Sequence, residues 1–473
     1  MATTWTDHSI KYIRSSSPSA QHVGWLWTPR SLNLLPFFAS ICKNQALDCL
    51  GWRVMLVEFS VSNFRSIRER QTLSLVAGAG PEHRASHVFD AGATSTPELL
   101  RSAVIYGPNA AGKSNMIAAL RFAQQFILDS ASKYQQGDSI PVAPFAMRPD
   151  DAADPEPSEF ELTFVQVGVR YQYGFAVTAR RVESEWLLAY PEGRPQRWFE
   201  RSEAGGTWYF GPNFQGQKKV WQEATRDNAL FLSTAVQLNA EQLHPIFGWF
   251  RDTLGVIKPY ARVDVGFSIQ QCLGDADLNR RVAQFMRAAD LGISDLRIHM
   301  RQFDPTVVPD NQPFRDLILK ELEGAELPDV QFAHQLDDGR SVFFRFEDES
   351  GGTQKLFALA GPWLDVLDSG SVLFVDELDT SLHPRLMRHL VGLFNNAETN
   401  PHNAQLVFST HDTSILDRDV FRRDQIWFME KDREHQSRLY PLTDFSPRKE
   451  ENLERGYLQG RYGALPFIGE LRV

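Results

Sequence analysis

SAVIYGPNAAGKSNMIAALRFAQQFILDSA, residues 102–131, reads as a short apolar strand, a glycine-rich loop and a helix in direct succession. The loop GPNAAGKS at 107–114 satisfies G-x-x-x-x-G-K-[ST], with glycines where a backbone must wrap phosphates. Behind it Met116, Ile117, Leu120, Phe126 and Ile127 fall near one helical face, so the helix has a side to bury. Gly107, Pro108, Asn109, Ala110, Ala111, Gly112, Lys113, Ser114 and Asn115 therefore form a candidate nucleotide-binding loop. Lys113 is placed to reach the β- and γ-phosphates and Ser114 to ligate Mg²⁺, while the helix start turns its positive end toward the anion. Taken alone, the loop says only that some nucleoside triphosphate binds.

Toward the N-terminus, residues 55–76 alternate as two strands, VEFSVSNF and RQTLSLVA. Toward the C-terminus, a loop rich in Pro and Asp at 138–158 leads into EFELTFVQVGVRYQYGFAVTA, WLLAY, QRWFER and TWYFG. This predicts an antiparallel meander of five or six strands, with Gly168 at a turn. From 220 to 325 the helical period takes over in NALFLSTAVQL, PIFGWFRDTL, DLNRRVAQFMRAADLG and FRDLILKELEGA, predicting a helical insert without sustained heptads. Residues 326–445 return to strand and helix alternation: VQFAHQL, SVFFRFED, a helix from about 353, SVLFVDE, a helix from about 384, QLVFST and DQIWFME. That alternation predicts an α/β core with a parallel sheet. The divisions are 1–54, 55–219, 220–325, 326–445 and a tail at 446–473.

Two further segments carry chemistry. SVLFVDE at 371–377 is an apolar strand ending in paired carboxylates, the layout in which Asp376 holds Mg²⁺ and Glu377, just past the strand end, acts as general base on water. An apolar strand ending in two acids is commonplace by itself; beside a phosphate loop it acquires this meaning. ESGGTQKLF at 349–357 sets a serine and two glycines at a helix start, which reads equally as an N-cap or as a second phosphate cradle. Asp379 in LDTSLHP and His411 in LVFSTHD follow it, and a lone strand-end histidine is ordinarily a satisfied structural one.

The ordered set NFRS (63–66), GPNAAGKS, ESGGTQ, VLFVDELDTSLHP and STHD resembles the ABC-type ATPase heads of the SMC, RecF and OLD group. The opening MLVEFSVSNFRSI, the phrase RAADLGI at 287–293 and the ending YLQGRYGALPFI are similar to RloA-like AAA-family ATPases, many encoded beside phage-defence or restriction genes. The resemblance spans about 55–473. It implies an ABC-type head, a mixed sheet with a phosphate-loop core plus an antiparallel meander and a helical insert. It also implies ATP hydrolysis with Mg²⁺ in a head-to-tail homodimer, with higher oligomers open. Ser350, Gly351 and Gly352 would then act in trans on the partner's ATP, His411 would contact the γ-phosphate, Asp379 would couple the two sites, and Arg65 would lie near the nucleotide. Such a dimer would be expected to gate a separate effector such as a nuclease in anti-phage defence; the alternative is an ATP-dependent nucleic-acid clamp or repair switch with slow turnover. Glu349 and Thr353 depart from the transporter form of the signature, and Gln166 is a weak candidate for the glutamine that senses Mg²⁺ and γ-phosphate.

The 473 residues are 42% hydrophobic and 23% charged, an ordinary globular composition, and the net charge of −10 argues against a wholly basic nucleic-acid coat. Three cysteines without CxxC spacing indicate neither a disulfide framework nor a zinc site and suit a reducing cytoplasm. No apolar run is long enough for a spanning helix, so no membrane partner is expected. Residues 1–54, with a SSSPS stretch and the patch LLPFFASI, look foreign to the rest and are expected to be a poorly ordered extension or a mis-assigned start ahead of Met55. Beyond His411 the chain is short for a second domain, so a nuclease is expected on another polypeptide. Arg448, Lys449, Arg455 and Arg461 read as a solvated basic surface.

Overall fold

A computed structural model describes residues 54–147, 156–202, 206–257, 265–289, 292–308, 315–446 and 451–466. The segment up to Arg53, together with Arg448 and Lys449, lies outside the described residues. Alternation in MLVEFSVS forms β1 (Met55–Ser62), which pairs antiparallel with β2 (Gln71–Ser74). A two-stranded ladder of β3 (Val88–Phe89) and β4 (Leu99–Leu100) precedes β5 (Ser102–Tyr106), every residue of which is buried. The phosphate-loop segment then enters α1 (Lys113–Asp129).

The predicted meander follows as β6 (Ser158–Gln166), β7 (Val169–Val177), β8 (Val182–Tyr190), β9 (Gln196–Ser202) and β10 (Thr207–Phe210). With β1 and β2 it makes a seven-stranded antiparallel sheet in the order β10-β9-β8-β7-β6-β1-β2. Gln166 closes the β6–β7 hairpin opposite Val169, where Val167 and Gly168 both take positive φ as a tight two-residue turn requires.

The helical insert expected over 220–325 contains strands as well as helices. Helices α2 (Phe231–Gln237), α3 (Val265–Gly274) and α4 (Ala276–Ala288) are present, but so are β11 (Leu254–Ile257) and β12 (Ile293–Gln302). Four residues, LGVI, are too few for periodicity to separate strand from helix, and in β12 the alternation of Leu296, Ile298 and Met300 with Arg297, His299 and Arg301 lies directly behind a strong helical period. β12 joins β13 (Glu326–Gln335) and β14 (Ser341–Arg345) in a three-stranded antiparallel sheet, from which a short 3₁₀ turn leads to α5 (Gly351–Ser369).

β15 (Val372–Val375), α6 (Pro384–Phe394), β16 (Gln405–Ser409), β17 (Ile426–Lys431) and β18 (Ser437–Pro441) complete a six-stranded sheet ordered β11-β15-β16-β5-β17-β18. Its first five strands are parallel and β18 is antiparallel. Successive side chains of a strand face opposite ways, so each central strand, buried along its whole length, serves two cores. On one face Ala103, Ile105, Phe374 and Val407 meet Met116, Leu120 and Phe126 of α1, whose other side packs on Phe59, Phe160 and Phe175 of the antiparallel sheet. On the other face Val104, Tyr106, Leu373, Val375 and Phe408 pack against Leu356, Phe357 and Trp363 of α5 and Met387 and Leu390 of α6. Each Val, Leu, Ile, Phe or Met among them contributes about 1.5–3 kcal/mol on burial. The molecule is thus a mixed α/β fold of antiparallel sheet, α1, central sheet and outer helices.

Glu185 of β8 shows how α2 is docked. Its fully buried carboxylate accepts from Phe231 N (2.7 Å) and Leu232 N (2.9 Å) in the first turn of α2 and from Tyr173 Oη (2.9 Å), with Arg201 Nε 3.1 Å away, out of line for a hydrogen bond. Among the described residues no helix is long and apolar enough to cross a membrane.

Candidate nucleotide site

The carboxyl ends of β5, β15 and β16 lie side by side, the edge of a parallel sheet where ligands bind in α/β folds. From β5 the chain turns at Gly107 (φ 154°), passes Ala110 in a left-handed conformation and enters α1 at Gly112 (φ 116°). A Cβ at residue 107 would stand 2.1 Å from Met429 O, and one at 112 would stand 2.1 Å from Ser437 Oγ. Both glycines are therefore dictated by what lies behind the loop as well as by φ. Gly112 offers no side-chain cap to α1, and the first-turn N–H groups of Lys113 and Ser114 have no carbonyl within the helix, so they point outward to receive an anion.

Lys113 is 5% exposed and folds back on its own loop: Nζ donates to Gly107 O (2.7 Å) and Pro108 O (3.2 Å) and lies 3.2 Å from Nε2 of His411. Burial pushes its ammonium down to about 8 against the pull of Asp376, Glu377 and Asp379. His411 is lowered in turn, first by burial and then by the Lys113 charge. A neutral imidazole beside the ammonium is the arrangement that this crowding favours.

β15 delivers the carboxylates. Asp376, 5% exposed, accepts from Ser409 Oγ at 2.5 Å, and the same hydroxyl accepts from Glu377 N at 2.8 Å. Ser409 on β16 thereby ties the two acids to the neighbouring strand, a role the sequence reading missed; a hydroxyl at the end of an apolar strand was its only signal. Glu377 sits at φ 51°, which swings it out of the strand path. Asp379 Oδ2 accepts from His411 N at 3.3 Å, and its Oδ1 is buried without a partner among the described residues.

Arg65 reaches the loop from the other side. Its Nη1 donates to Asn115 Oδ1 at 3.4 Å, while Asn115 Nδ2 donates to Ser66 Oγ at 2.7 Å. Ser437 on β18 was also missed: its hydroxyl bonds Ser66 Oγ (2.7 Å) and donates to Ala111 O (2.6 Å), clamping the loop between the two sheets. Residues 107–115, Arg65, Asp376, Glu377, Asp379 and His411 are thus brought together.

Ser350 caps α5, accepting from Thr353 N at 3.1 Å and sharing a 2.9 Å hydrogen bond with Thr353 Oγ1, so its bonds stay within its own helix start. Glu349, at the departure from the transporter signature, lies 2.7 Å from His334 Nε2. Ser350 and Gly351 are exposed, and Gly352 packs on the carbonyl of Ser381.

The exposed hydroxyl of Ser114 and the carboxylate of Asp376 are the candidate metal ligands. Among the described residues no group of three His, Cys, Asp or Glu could cage an ion. That donor set fits Mg²⁺, which takes few protein ligands and completes its shell with phosphate oxygens and water.

A family model described as "AAA domain, putative AbiEii toxin, Type IV TA system" matches residues 102–253 and 272–417. Among solved structures the chain is similar to an Smc head bound to the C-terminal winged-helix domain of ScpA, at 12% identity and a TM-score of 0.42, covering 82% of this chain and 97% of that one. It is similar also to an Smc head with an extended coiled coil bound to the C-terminal domain of ScpA derived from Pyrococcus furiosus (12% identity, TM-score 0.41, 82% and 96% covered). A third similarity is to the recombination mediator RecF with ATP (13% identity, TM-score 0.31, 77% and 95% covered). No curated protein matches.

Proposed function

The chain belongs to the AAA-domain family whose description names the AbiEii toxin of a type IV toxin–antitoxin system, and from that membership we propose that it is a Mg²⁺-dependent ATPase of ABC-head type. One observation carries the reading: Lys113 of the phosphate loop meets His411 at 3.2 Å on the sheet edge that also holds Asp376 and Glu377. ATP is the substrate. Gly107–Ser114 cradle its phosphates, Lys113 exchanges the carbonyls of Gly107 and Pro108 for phosphate oxygens, and Arg65 stands beside the loop. Ser114 and Asp376 would hold Mg²⁺, which would supply charge neutralisation on the phosphates. Glu377 takes the proton of the attacking water, and His411 faces the γ-phosphate.

In this reading two copies close head to tail, and Ser350, Gly351 and Gly352 of each complete the other's site, with Asp379 at the junction. The exposed, self-capped start of α5 supports it. The likeness of 55–67, 287–293 and the C-terminal YLQGRYGALPFI to RloA-like ATPases, with the toxin in the family's description, supports a cytoplasmic defence system in which the ATP cycle gates a separate effector such as a nuclease.

Steady-state release of phosphate from ATP tests the reading. Lys113→Ala should abolish ATP binding, and Glu377→Gln should bind ATP while slowing turnover on the order of a hundredfold. Undiminished turnover by Glu377→Gln removes the acid from its role, and no turnover by the unaltered protein, with or without DNA and partner, leaves a binding clamp in place of an enzyme.

A further inference from the structure

Lys355 lies one helical turn beyond Ser350–Gly352 on α5, and its ammonium is spent on a single object. Nζ donates to Thr380 O (2.7 Å), Leu378 O (3.0 Å) and Glu377 O (3.2 Å), three carbonyls of the turn that leaves β15. Burial lowers its pKa to about 8, with Asp379 and Glu377 pulling the other way.

That turn needs holding. It begins at Glu377 (φ 51°) and ends at Ser381 (φ 62°), both left-handed and neither a glycine, a conformation that persists only where its surroundings impose it. Its internal bonds are few: Thr380 N to Glu377 O (3.2 Å) and Leu382 N to Asp379 O (3.0 Å), with Leu378 N reaching across to Ser409 O (3.0 Å). The start of α5 touches the same turn a second time. A Cβ on Gly352 would stand 2.8 Å from Ser381 O, so the helix backbone lies directly on the turn. Two contacts from one helix turn, one a set of ammonium-to-carbonyl hydrogen bonds and one steric, make the start of α5 and the segment Glu377–Ser381 a single unit.

We infer that Lys355 is a positioning residue whose ammonium fixes the turn that aims Glu377 and locks it to Ser350–Gly352. This rests on the ATPase reading above. In a head-to-tail dimer the two ends of the unit serve different nucleotides: Ser350–Gly352 meet the partner's ATP, and Glu377 and Asp379 act on the ATP of their own copy. Closure of one site is thereby felt by the acid of the other through one lysine.

Lys355→Met keeps length and removes the charge, and Lys355→Arg restores a cation. ATP turnover, equilibrium ATP affinity and thermal unfolding are to be measured on the full chain. Lys355→Met should lower kcat roughly tenfold or more while ATP affinity stays within about twofold, Lys355→Arg should recover most of the loss, and the cooperativity of turnover in ATP should disappear with the methionine. Unchanged kcat in Lys355→Met, an arginine variant no better than the methionine, or loss of ATP affinity and folding in step with kcat would each overturn the inference. Absence of turnover in the unaltered protein would overturn the ATPase reading itself, whereas normal turnover in both the unaltered protein and Lys355→Met overturns only the role of Lys355.

Discussion

Single side chains set the conditions under which this fold survives, and His87 is the clearest case. Its Nδ1 lies 2.7 Å from Gln425 Oε1, and Gln425 in turn donates to Ser102 O and Oγ at the start of β5. The ring stacks on His83 and is near Arg422 and Arg101, and burial drives its pKa from 6.5 down to about 4. The unfolded chain therefore binds the proton more readily than the folded one between those values. The contribution to stability is complete above about pH 6.5 and is lost as pH falls toward 4, an effect on the order of 3 kcal/mol. His87→Gln should flatten that part of the acid slope in urea unfolding series run at several pH values; an unchanged slope would show that other groups set it.

At the scale of elements, one serine caps α5 and, in the proposed dimer, would also face the partner's ATP. As N-cap, Ser350 satisfies Thr353 N, and Ser350→Ala should cost about 1 kcal/mol in chemical unfolding. Ser350→Asp keeps a good cap but sets a negative charge where the partner's phosphate would dock. Its stability should match the unaltered protein while ATP turnover collapses; retained turnover would mean that the cap is the whole role of Ser350. The elements also divide by how far they could be read. The strand, loop and helix at 102–129 and the strand ending at Asp376 carry local signals: fixed glycines, a lysine, an uninterrupted apolar run. β11 and β12 do not, because LGVI acquires its strand character only by lying parallel to β15, and β12 by pairing with β13.

For the whole molecule, the expected assembly gives a complementation test. In that assembly Lys113→Ala would have a dead loop and an intact signature, and Ser350→Asp the reverse, so each homodimer should be inactive. In the mixed dimer one composite site contains both lesions and the other contains neither. Mixing the two proteins should restore ATP turnover to a sizeable fraction of normal, read as phosphate release against mixing ratio. No recovery would place signature and loop in the same copy's site.

What the sequence determined by itself was the chemistry of contiguous segments. The spacing of Gly107, Gly112, Lys113 and Ser114 is imposed by a phosphate within one turn of chain, and the run SVLFVDE by a strand buried on both faces. Their meaning therefore lies within a few residues and is legible there. The tertiary structure alone decided which segments became neighbours. Placing β5 between β16 and β17 brings His411 to Lys113 across 298 positions and Ser437 to the loop carbonyl, pairing β15 with β16 brings Ser409 to the two acids, and packing α5 on the turn after β15 brings Lys355 there. None of those pairs has a local signature, because each is made by packing between strands and helices whose own sequences record only that they must be buried.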